Sequence, residues 1–273
     1  MTSSTVMSYE DRLAGFDWSL AERELGYREG DPINIGWYCT DRICAQGRAG
    51  IPALLWEDFS GAERTYTFDD LRVLSNTIAD YLRGLGLAPG ERICLFMDRV
   101  PELYIGFLGI LKMGGVAQPL FSAFGPESLH TRLANAGTAA ILTQKKHVGK
   151  VRKILEQLPD LRHIVVVDAG QAPLQAREVP LTLDALPRVE SFDVYPSMAE
   201  TPSVLHYTSG TTGQPKGAQH VHYSLIAQYL TAKWVLDLRP GDVYWCNADP
   251  GWVTGTSYGI IGPWANGVTQ VVL

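Results

Sequence analysis

The densest chemistry in this sequence lies in one short run, Tyr207-Thr-Ser-Gly-Thr-Thr-Gly-Gln-Pro-Lys-Gly217. Thr208, Ser209, Thr211 and Thr212 place hydroxyls around Gly210 and Gly213, and Lys216 adds a cation. Glycines let the backbone turn with positive φ and come close to a ligand. Successive N–H groups in such a turn form a concavity that holds an anion, and the hydroxyls add donors. A compact lysine ammonium suits phosphate. Pro215 stiffens the exit before Lys216, which argues against a merely flexible Ser/Gly loop. The run is not a Walker A loop, because Gly210 and Gly213 are too close and Gly217, not Ser or Thr, follows Lys216.

A second run, Tyr244-Trp-Cys-Asn-Ala-Asp-Pro-Gly-Trp-Val-Thr-Gly255, offers a pocket wall rather than charge. Asp249-Pro-Gly forces a turn after a strand. Trp252 then presents a rigid apolar face, Val253 volume and Thr254 a hydroxyl; the plainer alternative for Trp252 is core packing. Gly255, Gly259 and Gly262 read as points of close helix packing. His220 and His222 alternate on a strand, but no third ligand stands at useful spacing, so no metal site is expected. His206 precedes the loop in an apolar strand and reads as a satisfied core residue. Lys145, Lys146, His147, Lys150, Arg152 and Lys153 make a basic run that reads as the solvated start of a helix. Cys39, Cys44, Cys94 and Cys246 match no zinc spacing and read as reduced thiols of a cytoplasmic protein.

These runs need a scaffold, and the hydrophobic pattern supplies one. A strand is expected at 52–57. Thr67 and Asp70 form a capping box for a helix whose Leu71, Leu74, Ile78, Leu82 and Leu85 share one face, stopped by Gly84 and Gly86. Strands at 92–97, 116–120, 139–143 and 163–168 then alternate with helices at 102–113, 126–136 and 148–158. Short apolar strands separated by helices predict an α/β fold with a doubly wound parallel sheet. After Ala169 the chain is punctuated by Pro173, Pro180, Pro187, Pro196 and Pro202. Beyond it come strands at 203–208, 243–247 and 269–273, a helix at 223–235 and a short helix at 256–264. The domains follow: 1–60 an N-terminal wrap, 61–170 a first α/β subdomain, 171–202 a connection, and 203–273 the start of a second α/β subdomain. The chain stops inside a core-type strand, Val268-Thr-Gln-Val-Val-Leu273, so a truncated domain is expected.

Composition narrows the partners. Of 273 residues, 46% are hydrophobic and 19% charged, enough apolar material for a core. A net charge of −6 gives no general attraction to nucleic acid or anionic membrane, so any nucleotide site must be local. The N-terminus lacks a basic stretch followed by an apolar run, and the longest apolar run, 103–111, is half what a membrane helix needs.

The Tyr207–Gly217 run resembles the phosphate-loop signature of the acyl-adenylate-forming superfamily, which includes acyl-CoA synthetases and peptide-synthetase adenylation domains. The Tyr244–Gly255 run, with Gly262-Pro-Trp-Ala-Asn-Gly267 and Lys233-Trp-Val-Leu-Asp-Leu238, resembles the acetate–CoA ligase branch. Phe16-Asp-Trp18, Met97-Asp-Arg-Val-Pro-Glu-Leu-Tyr104 and Pro119-Leu-Phe-Ser-Ala-Phe124 agree, so the likeness covers nearly the whole chain. It implies the stacked doubly wound sheets of that superfamily's N-terminal domain, incomplete, without the small C-terminal domain. It places Thr208, Ser209, Gly210, Thr211, Thr212 and Gly213 around the ATP phosphates, with Lys216 as the catalytic cation. It places Trp252, Val253 and Thr254 beside the acyl group and the CoA thiol. The partners implied are ATP, Mg²⁺, CoA and acetate or another short carboxylate, with no nucleic acid, no membrane and no set oligomeric state. His147-Val-Gly-Lys150 matches poorly the segment that approaches the CoA phosphates in related enzymes.

The implied reaction is AMP-forming ligation through an acyl-adenylate. The family's Tyr-Gly-x-Thr-Glu-type motif, ribose-binding Asp, hinge, C-terminal Lys and acetate-pocket Trp are expected beyond Leu273, so the fragment is expected to be inactive alone. The alternatives are an adenylation enzyme for another carboxylate and a non-catalytic nucleotide-binding fragment. An NAD-dependent dehydrogenase lacks its Gly-x-Gly-x-x-Gly fingerprint after any expected strand.

Overall fold

A computed structural model describes residues 8–208 and 214–273. In chain order, helices α1 (Tyr9–Ala14), α2 (Ser19–Leu25), α3 (Ile35–Cys39) and α4 (Asp41–Ile43) precede strands β1 (Pro52–Glu57) and β2 (Glu63–Thr67). Then follow α5 (Phe68–Gly84), β3 (Arg92–Phe96), α6 (Pro101–Lys112), β4 (Val116–Pro119), α7 (Pro126–Ala136), β5 (Ala140–Thr143), α8 (Lys145–Arg152), β6 (His163–Val166) and β7 (Glu178–Pro180). The last part holds β8 (Pro202–Thr208), β9 (Lys216–Val221), α9 (Ser224–Trp234), β10 (Val243–Trp245), α10 (Val253–Thr256), α11 (Gly262–Ala265) and β11 (Thr269–Val272).

Local signals set the boundaries. The Thr67 side chain accepts from Asp70 N while Asp70 reaches back to Thr67 N, the reciprocal box that opens α5. Proline at the first turn opens α6 and α7, where its missing N–H has no intrahelical partner to lose. Gly137 closes α7 in the left-handed region at φ 57°. The helix expected at 148–158 starts earlier, at Lys145, and breaks at Ile154, whose φ −120° and ψ 0° are not helical. A separate turn, Leu155–Gln157, then brings Leu158 into the core.

Strands form two sheets. The larger runs β7-β6-β5-β3-β4-β8-β9, parallel throughout except that β9 is antiparallel to β8. The smaller runs β10-β11-β1-β2, with β2 antiparallel to β1. Each thus carries one antiparallel edge strand on the expected parallel core; β2, β7 and β9 were not foreseen. β7 is short, and β2 and β9 are too exposed to carry an apolar pattern. Strand membership also departs from chain order. The strand read as opening a second subdomain, 203–208, lies beside β4 in the larger sheet, and β1 from the N-terminal segment pairs with β11.

Alternation along the strands separates two faces. Ile93, Leu95, Ala140, Leu142 and Val165 pack with the apolar stripes of α5 and α6. Cys94, Phe96, Ile141, Ile164 and Val166 pack with Leu129 and Leu133 of α7 and Val148 and Val151 of α8. Helices on both faces explain why these strands read as continuous apolar runs.

The N-terminal segment packs onto this body. Gly36 lets α3 approach α6 closely, since a Cβ there would stand 2.8 Å from Leu108 O and from Lys112 Cγ. Lys112 is fully buried, and its Nζ meets Asp41 Oδ2 at 2.7 Å and Asn76 Oδ1 at 2.7 Å. A buried ammonium is tolerated only with such partners. Asn34 Nδ2 donates to Leu111 O at 2.7 Å and Ser197 Oγ at 3.1 Å, tying the same junction to the segment before β8.

Candidate functional site

The β8–β9 hairpin positions the first candidates. Thr208 ends β8 and Lys216 opens β9, and the two are register partners, both exposed. Ser209, Gly210, Thr211, Thr212 and Gly213 lie outside the described residues. Because β8 runs parallel to β4, the hairpin rises from the carboxyl ends of the parallel strands. Open α/β sheets bind ligands along that edge. The base is firm: Tyr207 Oη donates to Asn135 Oδ1 at 2.7 Å, and a Cβ on Gly217 would stand 3.2 Å from Leu205 Cδ1. Lys216 has no hydrogen-bond or ion-pair partner among the described residues.

The second run forms a tight turn on the same edge. Asp249 Oδ1 accepts from Gly251 N at 2.7 Å, and Trp252 N donates to Asp249 O at 2.9 Å. A Cβ on Gly251 would stand 2.5 Å from Phe121 N, and one on Gly255 would stand 2.1 Å from Asp249 O. Glycine is thus required at both positions, and Gly251 seats the turn against the loop that follows β4. Gly255 serves its own turn rather than a helix contact. Gly262 does mark close helix packing, since its Cβ would meet Ala232 Cβ of α9 at 2.8 Å.

Trp252 is not core packing. Its exposure is 52%, that of Val253 45%, and Thr254 is also exposed. Together they present an uncovered apolar and hydroxyl surface at the start of α10. One contact joins this surface to the hairpin strand: His206 Nε2 lies 2.7 Å from Thr256 Oγ1. His206 is buried as expected, but only half satisfied, because Nδ1 has no partner. The local sequence could not reveal this link, which joins strand and helix across a distant stretch of chain.

Beside these elements a cleft of about 630 Å³ opens between the sheets, lined among others by Trp56, Asp98, Ser122, Lys146 and Asp249. Partial burial opposes ionisation of Asp98, but hydrogen bonds from Lys146, Ser122 and His147 outweigh it and hold the carboxyl at about 2. His147 Nε2 lies 2.8 Å from Asp98 Oδ1, Lys146 pairs with Asp98 Oδ2, and Lys150 donates to Ser122 O at 2.8 Å. The basic run is therefore more than a solvated helix start: three of its members are anchored at this cleft. Burial pushes the Asp249 carboxyl up.

The remaining candidates are structural. His222 is fully buried and its Nδ1 accepts from Ile35 N at 3.1 Å, while His220 stacks edge-on to His206. Burial lowers His206 to about 4 and His222 to about 3, so both rings are neutral near pH 7. The four cysteines are free thiols, and burial pushes Cys39 up to about 12. Among the described residues no three His, Cys, Asp or Glu side chains are grouped to hold a metal ion. No described helix is long and apolar enough to cross a membrane.

Comparison with known proteins gives consistent matches. The model of the AMP-binding enzyme family matches residues 42–273. Acetyl-coenzyme A synthetase of Bacillus subtilis (strain 168) is 39% identical over 269 residues, covering 98% of this chain and 46% of that protein. Acetyl-coenzyme A synthetase 2 of Pseudomonas aeruginosa is 34% identical over 268 residues, covering 93% of this chain and 41% of that protein. The crystal structure of a Brucella canis acyl-CoA synthetase superposes with a TM-score of 0.85 at 26% identity, over 96% of this chain and 47% of that one. The chain spans about half the length of the curated relatives it matches.

Proposed function

From the premise that this chain belongs to the AMP-binding enzyme family, we propose that it carries the phosphate and acyl sides of a site for AMP-forming ligation of acetate, or another short carboxylate, to CoA. A free carboxylate is a poor acylating agent. Attack of its oxygen on the α-phosphorus of ATP expels pyrophosphate and gives an acyl-adenylate. The CoA thiol then attacks the acyl carbon and releases AMP. The first step concentrates negative charge, so the protein's part is electrostatic: N–H groups, hydroxyls and a lysine aimed at the phosphates. Lys216, with Thr208 and the residues 209–213, takes that part. Trp252 and Val253 exclude water from the acyl group, and Thr254 offers the thiol side a hydroxyl. Mg²⁺ neutralises phosphate charge when bound; the nucleotide's own oxygens are its natural ligands. Four free thiols fit a cytoplasmic protein.

The observation that supports this reading most is the pairing of Thr208 with Lys216 across the hairpin register, at the carboxyl ends of the parallel strands. Calorimetry tests it with ATP, AMP, adenosine and a sulfamoyl analogue of acetyl-AMP. The reading expects ATP to bind at least about tenfold more tightly than adenosine, as charge-assisted phosphate contacts require. It also expects the analogue to bind more tightly than AMP, because it combines nucleotide and acyl group. Equal affinities for ATP and adenosine would sink the proposal. An analogue no tighter than AMP would leave a nucleotide-binding module without acyl chemistry.

A further inference from the structure

We propose that His206 is a positioning residue: through Thr256 it fixes the Trp252–Val253–Thr254 surface at one distance from the strand that carries the phosphate loop. The proposal deepens the functional reading above and rests on it for the roles of the two surfaces.

Three observations carry it. First, the surface cannot hold itself by packing, since Trp252, Val253 and Thr254 are all exposed. Its placement must come from its ends. At the N-terminal end, Gly251 sits against Phe121 N and the Asp249 carboxylate caps the turn. At the other end stands Thr256, 1% exposed, whose side chain meets His206.

Second, the Thr256 hydroxyl bridges two elements. Thr256 Oγ1 lies within hydrogen-bond distance of Val253 O, at 3.1 Å. Its other contact is His206 Nε2 at 2.7 Å, where either tautomer of the ring makes a hydrogen bond with the hydroxyl. The same oxygen thus joins β8 to the carbonyl of Val253, inside the proposed acyl surface.

Third, His206 is itself immobilised. It is 3% exposed, lies two residues before Thr208 on β8, and its ring packs edge-on to His220 of β9 with centroids 5.8 Å apart. A shift of the hairpin would pass directly to α10. Burial keeps the ring neutral, so the link is a plain hydrogen bond between neutral groups.

The test compares His206→Ala, His206→Gln and Thr256→Val in the 273-residue chain. Glutamine keeps a buried amide near Nε2 that can donate to or accept from the hydroxyl; alanine removes it. The ligand-free readout is iodide quenching of Trp252 fluorescence, isolated by subtracting each variant's Trp252→Phe counterpart. Quenching should change in His206→Ala and Thr256→Val and return toward wild type in His206→Gln. The ligand readout is a split: affinity for the acetyl-AMP analogue should fall about tenfold in His206→Ala, while affinity for ATP changes less than about twofold. Equal losses for both ligands, unchanged Trp252 quenching, or failure of glutamine to rescue would overturn the proposal. If His206→Ala does not fold, Thr256→Val decides, because it deletes the same contact while leaving the ring in place. Should the wild-type chain bind neither ligand, the functional reading fails, and the quenching series still tests the positioning role.

Discussion

The junction of α3, α5 and α6 buries a lysine among carboxylate and amide partners, whereas the carboxyl edge of the larger sheet leaves its lysine and its tryptophan in solvent. Lys112 is committed: Asp41 and Asn76 each meet its ammonium at 2.7 Å. Lys216 is exposed and without a protein partner among the described residues, three positions after loop residues rich in hydroxyls. The two regions differ in the same way for aromatic side chains. Trp264 is fully buried and donates to Ala53 O at 2.9 Å, while Trp252 is half exposed. Lys112 and Trp264 have their polar groups satisfied within the body, whereas Lys216 and Trp252 are left open to a ligand.

Substitution should separate the two regions sharply. Lys112→Ala removes one partner of a buried pair and should cost about 3–5 kcal/mol of unfolding free energy by urea titration. Lys216→Ala should change stability by less than about 0.5 kcal/mol, as an exposed site does. If the two variants lose equal stability, the contrast is wrong.

Next in size is Gly255→Ala. Its Cβ would fall 2.1 Å from Asp249 O, a backbone atom that cannot yield without opening the turn. A loss of about 2–3 kcal/mol is expected, in the range of other overpacking changes. An unchanged melting temperature would show that the turn can open without cost.

A more gradual effect, smaller per pH unit, should appear with pH. Burial depresses His222 from 6.5 to about 3 in the folded chain. The unfolded chain therefore binds the extra proton in that window, and stability is complete above pH 6.5 and lost as pH falls toward 3. The slope should reach about 1 kcal/mol per pH unit from this group, with a similar sign from His206. His222→Gln, which keeps an acceptor for Ile35 N, should flatten the curve between pH 6 and 4 in denaturation experiments. An identical slope in that variant would assign the acid sensitivity elsewhere.

Much of the body was legible because its signals are local. The Thr67–Asp70 box, the stripe Leu71, Leu74, Ile78 and Leu82, and the apolar strands of the larger sheet each declare themselves within a few residues. What escaped depends on partners far away. Lys216–Val221 shows no strand pattern because one neighbour, β8, and open solvent define it. Strand 203–208 could not announce that it would join β4, nor β1 that it would lie against β11. At the site, the phosphate-loop residues stood out by type and order. The exposure of Trp252 did not, since a tryptophan in an apolar run fits a core equally well. His206 was noticed as buried, but its bond to Thr256 is a property of the fold alone.

The central claim is that the exposed lysine of the hairpin, not the buried one, serves the nucleotide phosphates. Titration of ATP into Lys216→Ala, followed by calorimetry beside the wild-type chain and an unfolding curve for each, tests it most directly. ATP affinity should be at least about tenfold weaker, as for a lost charge-assisted contact, with the unfolding midpoint unchanged. An ATP affinity equal to wild type in a folded Lys216→Ala chain would contradict it.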